Sequence, residues 1–257
     1  MSPLVFITGA SSGIGWALAQ AYAAKGYRLA LVVRDRRKLQ RAIQEAGLSE
    51  DVLQIYETDV TDAQAMQQVV AQCLASQGLP DVVIANAGVS RGVMIERPED
   101  WSVLEQTWRT NVLGVAHTLG PFVSLMRERG SGRLVGISSV AGVRGLPGHA
   151  AYSSSKAACT AMCESLRADV RGSGVRVTVI LPGYIDTPLT KNNPFPMPFL
   201  MDADVFAQRA VRAIERGQAF VVIPRPMAVA AWILKWLPAS WLDKALAKQP
   251  RKPLSTA

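Results

Sequence analysis

Two side chains of the segment YSSSK could work together as an acid and a base. Tyr152 and Lys156 are four residues apart, and on a helix this spacing places them one above the other on the same face. A fixed ammonium beside a phenol favours the charged phenolate. To make a phenolate available near neutral pH, the surroundings must stabilise it by about 4 kcal/mol. A partly buried lysine together with a cationic ligand could supply this energy. The alternative is an exposed pair on a solvated helix, which could not.

A glycine-rich segment, TGASSGIG, follows the apolar segment PLVFIT. Three glycines at this point need a local reason, because glycine in a helix or strand costs about 0.5 to 1 kcal/mol relative to alanine. A flexible turn is one such reason. The other is a phosphate-binding loop, in which Gly9 turns the chain while Gly13 and Gly15 let a cofactor and the next strand approach a helix that begins near Ile14. The amides and the dipole of that helix would then face an anion.

The elements that position these residues follow an alternating pattern. Apolar and β-branched runs recur in seven segments: PLVFIT, RLALVV, VLQIYETDV, DVVIANAG, RLVGISS, VRVTVILPG and AFVVIP. Segments with helical spacing lie between several of them, as in residues 63–77 and 101–129. The alternation predicts an α/β fold, a doubly wound, seven-stranded parallel sheet of the Rossmann type with helices on both faces. We expect one domain over residues 1–257, because no linker or repeat divides the chain.

Small and polar residues follow four of the predicted strands. Asp59 ends the third strand, Asn86–Gly88 end the fourth, Ser138 and Ser139 end the fifth, and the segment PGYIDT follows the sixth. Because the carboxyl ends of parallel strands meet at one edge of a sheet, we expect these residues to surround one ligand site together with Gly9. Their coincidence favours the phosphate-binding loop over the flexible turn.

The composition argues against several other classes of protein. The net charge is +8, but the basic residues are scattered apart from Arg34–Lys38 and residues 244–252, so we expect no nucleic acid as a partner. Cys73, Cys159 and Cys163 form no CxxC pair and fit a reducing compartment. With two histidines in the chain, no metal site is expected. The N-terminus has too short an apolar run for a signal peptide, which favours the cytoplasm.

Taken together, these motifs resemble the short-chain dehydrogenase/reductase family across nearly the whole chain. The matching parts occur in the family's order: TGxxxGxG, Asp59, NAG, Asn111, Ser139, YxxxK, and PG with Thr187. The resemblance implies an NAD(P)-dependent enzyme that forms a homodimer or homotetramer through its long helices.

The resemblance also implies a role for each catalytic candidate. Tyr152 would be the general acid that protonates a carbonyl oxygen, or the base that deprotonates an alcohol in the reverse direction. Ser139 would hydrogen-bond the same oxygen, and it is chosen over Ser138 because its spacing to Tyr152 is that of the family. Lys156 would favour the charged phenolate of Tyr152 and would hold the nicotinamide ribose. Asn111 would bend its helix and hold a water that links Lys156 to solvent.

The end of the second predicted strand bears on which nicotinamide cofactor binds. In the family register, the position of the acid that accepts from the ribose 2′-hydroxyl of NAD is Val33, which cannot do so. Arg34 follows and can bind the 2′-phosphate of NADP, and Arg36–Lys38 add positive charge, whereas Asp35 favours NAD if the register is shifted by two. NADP(H) is therefore predicted over NAD(H). The predicted cofactor-binding residues are Gly9, Ser11, Ser12, Gly13, Ile14, Gly15, Arg34, Asp59, Val60, Asn86, Ala87, Gly88, Tyr152, Lys156, Pro182, Gly183, Ile185 and Thr187.

Residues 188–206 follow the nicotinamide-binding segment, where the family places its substrate lid. Prolines are interspersed there with Phe195, Met197, Phe199 and their apolar neighbours, which opposes regular structure but leaves apolar surface to cover. The segment is interpreted as a mobile cover over an apolar substrate. A simply packed loop is the alternative.

Residues 226–250 form an apolar and basic extension with helical spacing. Its longest apolar run, 227–234, is too short to span a bilayer. Trp232 and Trp236 share one helix face and basic residues lie nearby, a composition that suits an anionic membrane surface. Packing on a neighbouring subunit or over the substrate mouth explains the same residues, and these two interpretations together are preferred.

These observations predict an NADP-dependent oxidoreductase that moves hydride between nicotinamide and a lipophilic ketone or secondary alcohol, such as a steroid, acyl or other lipid-like carbonyl. The alternative is a non-catalytic NADP-binding redox sensor or regulatory module. The combination of Asn111, Ser139, Tyr152 and Lys156 favours the enzyme, because a sensor needs the phosphate-binding loop but has no use for an acid and its activator. The substrate's identity and the direction of the reaction do not follow from the fold.

Overall fold

One parallel sheet organises the chain, of which the computed structural model describes residues 2–191, 193 and 196–246. Its strands run in the order β3-β2-β1-β4-β5-β6-β7, and every neighbouring pair is parallel. The strands are β1 Leu4–Thr8, β2 Arg28–Val33, β3 Leu53–Glu57, β4 Val82–Ala85, β5 Gly132–Ile137, β6 Val175–Pro182 and β7 Phe220–Ile223. The strand order reverses beside β1, between β1 and β4, which is where ligands bind in such sheets.

Helices cover both faces of the sheet. They are α1 Gly13–Ala23, α2 Arg36–Ala46, α3 Ala63–Ser76, α4 Trp101–Trp108, α5 Gly114–Arg129, α6 Ala150–Asp169, α7 Ala203–Glu215, α8 Arg225–Trp236 and α9 Ala239–Leu246. Side chains of α3, α5 and α6 join one core, and those of α1, α2 and α7 join the core on the opposite face. The predicted doubly wound α/β fold is therefore confirmed.

The strands are apolar on both sides because both faces are covered. In β1, Phe6 enters the core beneath α5, whereas Val5 and Ile7 enter the opposite core, as the two-residue period of a strand requires. All three side chains are fully buried, and burying such a side chain contributes about 1.5 to 3 kcal/mol. This continuous burial holds the carboxyl ends of the central strands at one level.

Three strands end earlier than their apolar runs predict. The third ends at Glu57, the fourth at Ala85 and the fifth at Ile137. The backbone amides of Thr58 and Ser138 still donate to the neighbouring strands, to Val33 at 2.9 Å and Ile180 at 2.8 Å. Beyond Thr58, the Asp59 side chain accepts from the amide of Thr61 at 2.8 Å. The predicted polar residues thus lie in loops beyond the strands.

The predicted helical segment 101–129 is not one regular helix. A π-helical turn at Arg109–Leu113 separates α4 from α5 and contains Asn111. Such turns interrupt the regular helical ladder and occur frequently at functional sites. The prediction that Asn111 lies where its helix deviates agrees with this position.

The segment after β6 is more ordered at its end than predicted. Met201–Asp202 pairs in parallel with Ile185–Asp186, and α7 begins at Ala203, so residues 201–206 do not belong to an irregular cover. Paired backbone and the buried Phe206 outweigh the effect of the prolines before them. Phe195, together with residues 192 and 194, lies outside the described residues.

The C-terminal extension consists of α8 and α9 as far as the structure describes it, and residues 247–250 of the predicted extension lie outside that part. Within the described ranges, no helix is long and apolar enough to cross a membrane. Met227 and Ala231 of α8 are buried, whereas Trp232 and Trp236 are exposed. One face of α8 therefore packs on the protein and the other faces outward.

Candidate active site

A cavity of about 580 Å³ lies at the carboxyl ends of the central strands. Every residue predicted to bind the cofactor lines it, from the glycine loop to the segment after β6. Lining residues that sequence reasoning did not select are Val32, Val33, Asp35, Lys38, Thr58, Val89, Thr110, Ile137, Ser138, Pro188, Leu189 and Thr190. Val33, Asp35 and Lys38 were considered for the choice of cofactor and Ser138 as a strand-end residue, but none of them was predicted as a cofactor ligand. Most of the others are apolar or directly adjacent to a predicted residue, so no motif marked them.

The glycine loop leaves room at one end of this cavity. Gly9 has a φ of +70°, and a Cβ there would lie 2.7 Å from the Cα of Ala87. A Cβ on Gly15 would lie 2.3 Å from the carbonyl oxygen of Gly9. The side-chain amide of Asn86 donates to the carbonyls of Thr8 at 3.0 Å and Gly9 at 3.1 Å. These contacts clamp the turn between β1 and α1 against the end of β4.

The amino end of α1 faces the same space. Ser12 occupies its N-cap position, and the Ser12 side chain makes no capping hydrogen bond to the described part of the helix. Unbonded amides at a helix N-terminus, together with the helix dipole, favour an anion. The loop, the cavity and the uncapped helix therefore fit the pyrophosphate of a dinucleotide.

The catalytic candidates meet at the other end of the cavity. Tyr152 and Lys156 lie one turn apart on α6, and the Lys156 Nζ is 5.8 Å from the centre of the Tyr152 ring. Lys156 is buried, and its Nζ donates to the carbonyl of Ile137 at 2.8 Å. The ammonium is thus fixed by the end of β5, so the alternative of an exposed pair on a solvated helix does not apply.

The two serines after β5 have different surroundings. The Ser138 hydroxyl donates to the carbonyl of Lys156 at 2.8 Å and lies within hydrogen-bond distance of Thr160, so it joins β5 to α6. The Ser139 hydroxyl accepts from the amide of Ala141 at 3.1 Å, which leaves its proton available to donate. This difference supports the choice of Ser139 as the residue that faces a substrate.

Asn111 lies behind the cavity rather than in its lining. Its Oδ1 accepts from the amide of Val89, and its Nδ2 donates to the carbonyl of Val89, both at 2.9 Å. Nδ2 also donates to Ser155 of α6 at 3.0 Å. Asn111 therefore fixes the segment after β4 against the helix of Tyr152, and these contacts give it a positioning role.

The charges at the far end of the cavity come from fewer residues than predicted. Arg34 and Lys38 line the cavity. The Arg36 guanidinium instead donates to the carbonyl of Ile55, and Arg37 is not among the lining residues. Asp35 caps α2 by accepting from the amide of Lys38 at 3.1 Å, so its carboxylate is engaged with the helix.

An adjoining cavity of about 310 Å³ shares Arg34 and Asp59 with the first. It also contains Arg91 and Arg109, which the sequence pattern did not single out because they lie far from Arg34 along the chain. The Arg109 guanidinium pairs with Glu105 at 3.0 Å, whereas Arg91 donates to the neutral amide of Gln106. Positive charge therefore exceeds negative charge around Arg34.

A third cavity, of about 230 Å³, opens beside Tyr152 and Ser139. We call it the side cavity; it shares Ser139, Tyr152, Gly183, Leu189 and Thr190 with the large cavity. Its further lining residues are Ser90, Val140, Ala141, Arg144, Leu146, Pro147, His149, Tyr184, Asn193, Met227, Ala231 and Leu234.

The last three of these residues belong to α8. One face of α8 therefore forms part of the wall of the side cavity. Burial raises the pKa of Tyr184 in the same wall, so its phenol stays protonated. Among the described residues, no group of three or more histidine, cysteine or acidic side chains could hold a metal ion.

Comparisons with known proteins agree with this geometry. Residues 3–195 match the family model described as short chain dehydrogenase. An uncharacterized oxidoreductase of Myxococcus xanthus is 43% identical over 239 residues, which cover 93% of this chain and 94% of that protein. An acetoacetyl-CoA reductase of Rhizobium meliloti is 34% identical over 197 residues, 76% of this chain and 78% of that protein.

Solved structures show the same architecture. An alcohol dehydrogenase from Thermococcus sibiricus, complexed with 5-hydroxy-NADP, superposes with a TM-score of 0.75 at 28% identity and covers 87% of this chain and 96% of its own. A short-chain dehydrogenase from Streptomyces avermitilis has a TM-score of 0.77 at 25% identity over 96% of this chain and 95% of its own.

Fold, cavity and relatives together define an NAD(P)-dependent dehydrogenase or reductase. The chain belongs to the short-chain dehydrogenase/reductase family.

Proposed function

We propose that this enzyme moves hydride between NADP(H) and a ketone or secondary alcohol carried on an apolar group. The observation that carries the proposal is that Tyr152 and Ser139 line both the large cavity and the side cavity. A substrate in the side cavity and a nicotinamide in the large cavity would meet at these two hydroxyls. The reduced nicotinamide, when bound, supplies the hydride.

The residues of the chain supply the proton and the positioning. In ketone reduction, the Tyr152 hydroxyl gives its proton to the carbonyl oxygen as negative charge develops there. Ser139 donates a hydrogen bond to the same oxygen. Lys156 stabilises the tyrosinate left behind, because its buried ammonium is held on the same helix face. Asn111 keeps the loop after β4 in register with α6.

The preference for NADP is supported by the residues at the end of β2. Val33 offers no acceptor for a ribose hydroxyl, and Arg34 and Lys38 line the cavity beside it. A guanidinium binds a phosphate through charge-assisted hydrogen bonds. The Thermococcus sibiricus relative was solved with a derivative of NADP, which is consistent with this preference.

An apolar substrate is supported by the walls of the side cavity. Val140, Leu146, Met227 and Leu234 line it, and such a surface favours apolar groups by removing them from water. The acetoacetyl-CoA reductase relative is named for a reaction on the ketone of an acyl chain. A ketone borne on an acyl chain therefore suits this side cavity.

Two further surfaces suggest partners. Trp108 and Leu113 are exposed beside α6, and covering them favours a homodimer or homotetramer. Trp232, Trp236 and Trp241 are about two thirds exposed on α8 and α9. An apolar aromatic face flanked by lysines suits peripheral contact with an anionic membrane.

The thiols support a cytoplasmic localisation. The three described cysteines are free and buried, which fits a reducing compartment such as the cytoplasm. Peripheral contact would then be with the inner surface of a membrane.

A non-catalytic NADP sensor is the competing function. A sensor would need the glycine loop and Arg34 but not a tyrosine whose ring shares a wall with a second cavity. The fixed Lys156 beside that tyrosine favours the enzyme.

The test is NADPH oxidation, followed by nicotinamide absorbance, with ketones graded from small polar carbonyls to long-chain and steroid ketones. We expect kcat/KM to rise with apolar size until the side cavity is filled, and Tyr152→Phe to lower kcat by about 10²- to 10⁴-fold, the usual contribution of a general acid. Tight NADPH binding without turnover of any ketone would contradict the enzyme and favour the sensor.

A further inference from the structure

One charged side chain lines the side cavity, beside neutral polar and apolar residues. Among its described lining residues, Arg144 is the only lysine, arginine, aspartate or glutamate. It lies in the loop between Ser139 and α6, and it lines the same cavity as both proposed catalytic hydroxyls. Sequence reasoning missed it, because nothing in the segment GVRGLP marks the arginine as inward-facing.

The hydrogen bonds of Arg144 leave its charge without a counterion. Its Nη2 donates to the carbonyl of Leu237, the residue directly after α8. Its Nε is buried and has no hydrogen-bond partner among the residues that the structure describes. Within the described parts of the chain, no carboxylate lies within salt-bridge distance of the guanidinium. A backbone carbonyl satisfies one donor but does not neutralise a cation.

A purely structural role does not account for this arrangement. Joining α8 to the loop requires one donor, which any hydrogen-bonding side chain of suitable length provides. A buried donor without a partner is unfavourable, and a half-buried cation without a counterion is more so. An anion that enters the side cavity would neutralise this charge.

We propose that Arg144 binds a carboxylate of the substrate, so that the enzyme acts on keto acids or hydroxy acids whose two polar groups are joined by an apolar chain. This inference rests on the proposed oxidoreductase function. The carbonyl would lie at Tyr152 and Ser139 and the carboxylate at Arg144. A guanidinium presents parallel donors that match the two oxygens of a carboxylate.

The size and charge of the side cavity favour a carboxylate over a phosphate. A single guanidinium matches one negative charge, and a volume of about 230 Å³ holds a short chain. Tyr184, whose pKa is raised by burial, remains neutral in the wall and does not oppose an anion.

The experiment compares keto acids of graded chain length with their methyl esters, as kcat/KM for NADPH oxidation. The unmodified enzyme should prefer the acid by about 10- to 100-fold, the worth of a hydrogen bond to a charged group. In Arg144→Met, the ratio of kcat/KM for the acid to kcat/KM for the ester should fall to about one. In Arg144→Lys this ratio should be intermediate, because an ammonium keeps the charge but lacks the two parallel donors of a guanidinium. Arg225→Met, an exposed arginine at the start of α8, is the matched control and should keep the full ratio.

A binding measurement separates this inference from the proposed function. With NADP⁺ present, hexanoate should raise the melting temperature of the unmodified enzyme, whereas hexanamide should not. This readout needs neither turnover nor a variant that folds. Equal kcat/KM for acids and esters, or a preference that persists in Arg144→Met, would overturn the role of Arg144. If no ketone is reduced while hexanoate still stabilises, the proposed function fails and the carboxylate site stands. If hexanamide stabilises as well as hexanoate, the side cavity does not select an anion and the role of Arg144 is overturned.

Discussion

Replacing Asn86 by aspartate changes one group of the cofactor loop without changing its shape. The Asn86 Nδ2 is the donor that holds the carbonyls of Thr8 and Gly9, at 3.0 and 3.1 Å. In Asn86→Asp, an oxygen takes the place of this donor. Three acceptors then face one another at the turn between β1 and α1.

The expected loss of stability follows from these two hydrogen bonds. Each contributes about 0.5 to 1.5 kcal/mol, and a carbonyl left without a partner adds its own desolvation cost of about 1 to 3 kcal/mol where it is buried. Because Asn86 is only half-buried, water can solvate part of the site, and we expect the free energy of unfolding to fall by about 2 to 4 kcal/mol. For a chain of this length, that lowers the melting temperature by roughly 5 to 15 °C.

The same substitution should weaken cofactor binding. It places a carboxylate beside the amino end of α1, where we expect the pyrophosphate, and like charges repel there. The Kd for NADPH should rise by about tenfold or more, since 1.4 kcal/mol corresponds to a factor of ten.

Two assays check these values: chemical unfolding without cofactor, and NADPH titration followed by fluorescence. Gln208→Glu makes the same chemical change on the exposed face of α7 and should shift stability by less than about 0.5 kcal/mol. If Asn86→Asp is as stable as this control and binds NADPH normally, Asn86 does not hold the loop as its contacts indicate.

Two further predictions concern the proposed NADP preference and the proposed membrane contact. Arg34→Ala should raise KM for NADPH by about tenfold or more, because it removes a charge-assisted hydrogen bond to the 2′-phosphate, whereas KM for NADH should change little. Steady-state kinetics with both cofactors measure these values, and equal effects on the two would contradict the NADP preference. The double substitution Trp232→Ala and Trp236→Ala should abolish cosedimentation with vesicles that contain phosphatidylglycerol, because it removes the exposed aromatic face of α8. Ile95→Ala, a similarly exposed apolar residue elsewhere, should leave sedimentation unchanged, and binding that survives the double substitution would refute the membrane contact.

Much of the fold could be read from local patterns. The seven apolar runs predict the seven strands because a strand covered on both faces must be apolar throughout. Their ends were less predictable: β3 stops at Glu57 and leaves Asp59 in a loop, where its side chain accepts from the amide of Thr61. The irregular cover was predicted too long, because pairing of Met201–Asp202 with Ile185–Asp186 depends on residues distant in sequence.

The residues around the large cavity could also be predicted from the sequence, because the loops after parallel strands converge at one edge of the sheet whatever their side chains. Arg91 and Arg109 were not, because nothing along the chain tells which distant cations gather around Arg34. The contrast between Ser138 and Ser139 likewise needed the positions of α6 and the short helix after β5.

Spacing along the chain was enough to specify the individual strands, the glycine loop and the helix pair of Tyr152 and Lys156, because each depends on residues a few positions apart. The alternation of these strands with helices then indicated a parallel sheet. Which groups form the side cavity was decided by tertiary packing alone. Arg144 and the α8 residues Met227 and Leu234 share that cavity although about 80 to 90 residues separate them, because folding returns the C-terminal extension to the carboxyl edge of the sheet. Side-chain contacts between such distant segments leave no period or motif in the sequence.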